Sequence, residues 1–63
     1  MKRADLIRHL TAHGCIFVRE GGRHSVYRNP KAGCSSTVPR HREVKKQLVR
    51  RICNDLGIPV PQL

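Results

Sequence analysis

Histidine is the residue type of this sequence best suited to acid–base chemistry, and His24 has the most suggestive neighbours. It follows a pair of glycines, and close to it along the chain are Arg19, Arg23 and Arg28. A histidine titrates at about pH 6.5 and can accept a proton at neutral pH. RNA carries its own nucleophile, the ribose 2′-hydroxyl, so a histidine base and several guanidinium groups suffice to cleave it without a metal. His24 is therefore a candidate general base of a ribonuclease, and the alternative is a strand histidine that only packs or hydrogen-bonds.

Basic side chains dominate the rest of the chain. Thirteen Lys and Arg oppose four Asp and Glu, which gives a net charge of +9 over 63 residues. Nine of the thirteen are arginine, whose planar fork matches phosphate oxygens. This charge balance favours nucleic acid as the binding partner. A membrane surface is a less well supported partner, because no helical segment pairs a basic face with bulky aromatic residues. An acidic protein partner is compatible with the same charge. The cations that we expect to contact RNA are Arg19, Arg23, Arg28, Lys31, Arg40, Lys45 and Lys46.

Other chemistries find little support in the sequence. The four carboxylates are scattered, which argues against a glycosidase and a two-metal nuclease, and there is neither a Gly-x-Ser-x-Gly elbow nor a P-loop. The three cysteines lack the Cys-x-x-Cys spacing of zinc ligands, although His9 and His13 share a helical face. We expect reduced, mostly buried thiols, and neither a metal nor another cofactor.

The hydrophobic pattern predicts five elements in the order α-β-β-β-α. Apolar residues recur at helical spacing in two segments, and β-branched or aromatic residues fill three short segments between breakers. The predicted helices are 3–13 and 42–56, and the predicted strands are 15–20, 23–28 and 34–38. Two hairpin links give a three-stranded antiparallel sheet, and one sheet face can bury the apolar stripes of both helices. This α+β arrangement, expected as a single domain over residues 1–63, is that of double-stranded-RNA-binding domains.

The predicted strand 23–28 does not reveal which face carries the candidate base. Alternation puts His24 and Val26 on one face and Ser25 and Tyr27 on the other. If Val26 points toward the helices, His24 starts on the covered face, and if Tyr27 does, His24 is open to solvent. Both orientations stay open at this point.

Three further residues have expected structural roles near this strand. Gly22 belongs to the hairpin turn, and Pro39 closes the third strand because proline cannot donate to a sheet ladder. His41 is interpreted as a connector that bonds backbone groups beside the start of the second helix.

The longest apolar run, residues 15–18, is too short for a spanning helix or a signal peptide, so we expect a soluble, cytoplasmic protein.

Two segments of the sequence form distinctive motifs: Gly21-Gly22-Arg23-His24-Ser25-Val26-Tyr27-Arg28-Asn29-Pro30 and Val38-Pro39-Arg40-His41-Arg42-Glu43-Val44. On these motifs, nearly the whole chain resembles the HicA family of bacterial toxins. The family's first helix is matched by Lys2-Arg3-Ala4-Asp5-Leu6-Ile7 with Gly14-Cys15, and its second by Arg51-Ile52-Cys53-Asn54-Asp55-Leu56-Gly57-Ile58. Many members carry serine between the glycine and the histidine, where this chain has Arg23, a residue suited to a phosphate contact.

The resemblance implies the toxin of a type II toxin–antitoxin system, with a double-stranded-RNA-binding-like fold. It also implies an endoribonuclease that cleaves mRNA independently of the ribosome, His24 as its catalytic histidine, and a HicB antitoxin as its partner. Two alternatives remain beside it. A non-catalytic RNA-binding module would share the basic surface and the fold. A DNA-binding repressor domain is less well supported, because the two helices are not adjacent as in a helix-turn-helix.

Overall fold

The computed structural model describes all residues, 1–63, and confirms the predicted order of elements. The elements are α1 (Arg3–Ala12), β1 (Ile16–Gly21), β2 (His24–Asn29), β3 (Cys34–Pro39) and α2 (Lys46–Leu56). The strands form one antiparallel sheet in the order β1-β2-β3. Four of the five elements begin and end within one residue of the predicted bounds.

The two helices cover one face of the sheet, and β2 shows which face that is. Ser25, Tyr27 and Asn29 are buried, whereas His24 and Arg28 are exposed and Val26 is half-buried. Arg3 of α1 contacts Ser25, and Leu56 at the end of α2 accepts a 2.7 Å hydrogen bond from the Asn29 side chain. Tyr27 therefore points toward the helices, and His24 lies on the open face.

The predicted start of the second helix at residue 42 is wrong. Helix α2 begins at Lys46, and residues 42–44 pair with the start of the chain through an antiparallel bridge between Lys2 and Glu43. The Arg3 amide donates to the Arg42 carbonyl and the Val44 amide to that of Met1, each at 2.8 Å. Val44 is buried in the core together with the apolar side chains of α2, and its spacing from them is helical. Its amide nevertheless bonds to Met1 at the start of the chain, and this explains the wrong prediction.

A single small core joins the two layers. Its members are apolar side chains of both helices, the covered sheet face and the last connections: Leu6, Leu10, Cys15, Tyr27, Val38, Val44, Val49, Ile52, Cys53, Leu56 and Ile58. Helix α2 ends at Gly57, whose φ of 67° favours glycine. Neither helix has the length and apolar character that crossing a membrane requires.

Candidate active site

A tight hairpin presents His24 at the first position of the central strand. Gly21 pairs with His24, so only Gly22 and Arg23 form the turn. Gly22 has a φ of 59°, and Arg23 does not share this left-handed conformation. A two-residue turn with positive φ at its first position requires glycine there, which explains the Gly-x-His spacing. The turn thus places Arg23 at the tip of the hairpin and His24 immediately after it.

His24 is exposed and has a free imidazole. The histidine ring hydrogen bonds of the structure are those of His9 in α1 and of His13 just after it, which bond to the carbonyls of Pro59 and His9 respectively. Both nitrogens of His24 are therefore available to a ligand or to water. A general base needs this availability, since a nitrogen already bound within the protein cannot accept a proton from the substrate.

His24 lines a solvent-open cleft of about 340 Å³ at the β3 edge of the sheet, beside α2. Because the consecutive β3 residues Ser36 and Thr37 both line it, the cleft extends around this edge from the helix side to the open face that carries His24. On the sheet side the cleft is lined by His24, Ser36, Thr37 and Pro39, and on the helix side by Leu48, Arg51, Ile52 and Asp55. The helix residues follow i, i+3, i+4, i+7 spacing and therefore share one face. Arg51 was not among the cations expected to contact RNA, although the sequence already places it three residues after Leu48 on the same helical face.

One polar contact crosses this cleft from β3 to α2. The Ser36 hydroxyl donates a 3.1 Å hydrogen bond to Asp55 Oδ2, and Arg51 Nε lies 4.0 Å from the same oxygen. All three side chains remain accessible to solvent. Arg51 is consequently a cation beside the cleft, and because 4.0 Å is too long for a hydrogen bond, its N–H groups stay able to meet a phosphate.

A chain of hydrogen bonds fixes the backbone around His24. Arg3 Nε donates to the Pro39 carbonyl at 2.8 Å, and Arg3 Nη2 donates to Ser25 Oγ at 2.7 Å. The Ser25 hydroxyl in turn donates to Glu20 Oε1 at 2.8 Å. Ser25 follows His24 in the chain, and Pro39 is its partner across the sheet. Arg3 thus holds both backbone neighbours of His24, a role that no local sequence pattern indicated.

The predicted RNA-contacting arginines fall at different distances from His24. The Arg19 guanidinium folds back over Gly21, because a Cβ at Gly21 would lie 3.1 Å from Arg19 Nη1. Gly21 is the cross-strand partner of His24, so Arg19 lies over the end of β1 that is beside His24. Arg28 shares the open face but lies near the other end of β2. Arg23 and Arg40 line a separate small cavity at the hairpin tip, where Arg40 pairs with Glu20 at 3.5 Å.

The three predicted lysines do not come together. Lys45 lines a shallow surface cavity with Leu48 and Arg51, which also belong to the His24 cleft. Lys46 faces a different cavity, beside Met1 and Asp5. Lys31 lines a cavity with His13 and Asn29, at the opposite end of β2 from His24. Only Lys45 therefore adds charge next to the cleft.

The residues with expected structural roles are placed as follows. Gly22 forms the turn, and buried Pro39 is the last residue of β3, where its carbonyl accepts the bond from Arg3. His41 is exposed in the connection between β3 and α2 and lies five residues before Lys46. It is therefore not beside the start of α2, because the helix begins later than the sequence predicted.

Most of the positive charge has no acidic counterpart. Each carboxylate pairs with a different cation: Asp5 with Arg8, Glu20 with Arg40, Asp55 with Arg51 and Glu43 with the amino group of Met1. Ten of the thirteen Lys and Arg side chains consequently have no carboxylate within 4.0 Å. Such an excess attracts polyanions over a long range at low salt.

The thiols are not part of this site. Cys15 and Cys53 are buried in the core, as expected, and all three cysteines are free. Burial raises the pKa of both core thiols above the ordinary value of 9.0. They stay protonated at neutral pH, which makes them poor nucleophiles.

One comparison with known proteins finds a family that spans most of the chain. No curated protein and no solved structure matches the chain. A family model described as the HicA toxin of bacterial toxin–antitoxin systems matches residues 3–58, which include both helices, the sheet and the cleft. The chain therefore belongs to the HicA family of toxins.

Proposed function

We propose that this toxin is an endoribonuclease that cleaves mRNA, with His24 as its general base. The observation that carries the proposal is the exposed imidazole of His24, free of internal hydrogen bonds, at a cleft that it shares with Arg51. A base and a cation on opposite walls suit a phosphodiester, whose 2′-hydroxyl and phosphate must be bound at the same time.

The reaction uses the nucleophile of RNA itself. One ring nitrogen of His24 takes the proton of the ribose 2′-hydroxyl as the 2′-oxygen attacks the adjacent phosphorus. The bond from phosphorus to the 5′-oxygen breaks, and that oxygen takes up a proton from solvent. Arg51 and Arg19 oppose the negative charge that gathers on the phosphate oxygens. The products are a 2′,3′-cyclic phosphate and a 5′-hydroxyl end.

The chain's own residues are sufficient for this chemistry. No three His, Cys, Asp or Glu side chains lie close enough together to hold a metal ion. The ten cations without a carboxylate partner provide the affinity for RNA, and we place the activity in the cytoplasm, where mRNA is found. As a toxin of a toxin–antitoxin pair, the chain requires an inhibitor, and we propose an acidic, HicB-like protein that covers His24.

The test is analysis of the cleavage products in the presence of a chelator. Purified chain is incubated with a defined RNA in excess EDTA, and the new ends are identified by their electrophoretic mobility and by mass. We expect cleavage to persist and to give a 2′,3′-cyclic phosphate or its hydrolysis product. A strict need for magnesium, or a 5′-phosphate product, would contradict the 2′-hydroxyl mechanism.

A further inference from the structure

Strand β1 is left uncovered by the rest of the chain. It forms one edge of the sheet, and every residue from Ile16 to Glu20 is exposed. Three consecutive apolar side chains stand out, because Ile16 and Phe17 are each 51% exposed and Val18 is 48% exposed. Natural sheets usually protect an edge with charge, proline, a bulge or a covering element, since its free N–H and C=O groups can pair with another strand. On β1 the charges are confined to Arg19 and Glu20 and the bulge to Val18, so Ile16 and Phe17 have no such protection.

The apolar side chains of β1 project from both faces of the sheet. Ile16 pairs with Arg28 on the open face, and Phe17 pairs with Tyr27 on the helix side. The Phe17 and Tyr27 rings meet edge to face with centroids 5.7 Å apart, which leaves the far side of Phe17 in solvent. A bulge between Phe17 and Arg19 adds Val18 as an extra residue. A partner that wraps this edge can therefore bury apolar surface on both sides.

We propose that β1 is the docking edge for the toxin's antitoxin, which adds one of its strands to the sheet. An added peptide strand satisfies the free backbone groups of β1, and its side chains bury Ile16, Phe17 and Val18. Nucleic acid offers no matching row of amides and carbonyls. The net charge of +9, with Arg19 and Arg28 beside the edge, selects an acidic partner and disfavours a second copy of the same basic chain.

The position of β1 explains how such docking inhibits the toxin. Gly21, the last residue of β1, pairs with His24, so a strand added along β1 ends close to the imidazole. An acidic segment beyond that end can reach Arg19 and His24 together. This inhibitory consequence rests on the proposed role of His24 in cleavage, whereas the binding itself does not.

Two variants and a matched control test the docking edge. The probe is the purified acidic, HicB-like antitoxin proposed above as the partner, and binding is measured by calorimetry. We expect Ile16→Glu and Val18→Glu each to weaken binding about 100-fold, because each puts a charge into an apolar interface. Val60→Glu changes an exposed apolar residue outside the sheet, and its binding should stay within about threefold of wild type. All three free variants should cleave RNA at the wild-type rate.

Amide hydrogen exchange on the unmodified proteins gives a second measurement that no misfolded variant can affect. In the complex, the β1 amides that do not bond to β2 should exchange at least about tenfold more slowly than in the free chain. Unchanged β1 exchange in the complex would overturn the proposal. Slower exchange of the β1 amides when RNA alone is added would also overturn it, because RNA would then occupy this edge. Dimers that form with rising concentration and that Val18→Glu abolishes would overturn it too, because a second copy of the chain would then occupy the edge. Because calorimetry and exchange need no cleavage, failure of the nuclease proposal would leave this test intact.

Discussion

Arg3 and Ser25, 22 residues apart in the sequence, are joined by a 2.7 Å hydrogen bond from Arg3 Nη2 to Ser25 Oγ. The same guanidinium also donates to the carbonyl of Pro39. The first turn of α1 thus binds the two backbone segments that flank His24, and it does so from the opposite face of the sheet. The orientation of His24 consequently depends on a residue far from it in sequence.

Arg3→Met should lower both stability and RNA cleavage. It removes a charged donor from two half-buried acceptors, so we expect the free energy of unfolding to fall by about 2 kcal/mol. Cleavage measured well below the melting temperature should also fall, because the start of β2 loses its anchor. Arg8→Met is the matched control, since Arg8 is exposed and pairs only with Asp5 on the helix surface, and it should cost about 0.5 kcal/mol or less. Denaturant melts and a cleavage assay measure both effects, and equal losses in the two variants would contradict the anchoring role.

Lys45 and Lys46 are adjacent in sequence but should differ in their effect on RNA binding. Lys45 lies beside Arg51 and the His24 cleft, whereas Lys46 faces the side of Met1 and Asp5. Lys45→Glu should weaken binding and reduce the salt slope by about 0.7 log units per log salt for each lost contact on single-stranded RNA. Lys46→Glu should change the slope much less. Salt titrations of both variants measure the difference, and identical slopes would mean that RNA does not follow the cleft.

The buried thiols predict a loss of stability in alkaline solution. Burial raises the pKa of Cys15 and Cys53, so above the ordinary value of 9.0 the unfolded chain releases thiol protons that the folded chain retains. The contribution of these protonated thiols to folding stability is fully present below pH 9.0, and it is lost as the pH rises through their pKa values in the folded chain. Melting temperatures measured between about pH 7 and about pH 10 should fall more steeply for the wild type than for Cys53→Ala. Cys34→Ala, at a half-buried position of β3, controls for the removal of a thiol, and parallel curves for all three proteins would refute the prediction.

The fold was largely predictable because its signals are local. Glycines at 14, 22 and 57 end helices or form turns, and the apolar periods of the helices and strands lie within single segments. The start of α2 was mispredicted because Val44 continues the helical spacing, while its amide bonds to Met1 far along the chain. The open-face position of His24 depends on tertiary packing, namely on Tyr27 turning toward the helices.

The candidate site was predictable only in part, for the same physical reason. His24 follows a local turn motif and could be found from the sequence alone. Arg3, Ser25 and Glu20 act through contacts between distant segments, and nothing in their local spacing indicates that they meet. Arg51 is an intermediate case, because its helical face was readable but its position opposite His24 was not.

Replacement of His24 tests the central claim most directly. His24→Ala should reduce RNA cleavage by at least about 100-fold, since a positioned general base contributes roughly 10²–10⁴-fold. Its stability should change by about 1 kcal/mol or less, because the side chain is exposed, and RNA affinity should stay close to that of the wild type. His13→Ala, an exposed histidine beyond the other end of β2, is the matched control and should cleave normally. Cleavage by His24→Ala at a near wild-type rate would contradict the account and leave a non-catalytic RNA-binding module in its place.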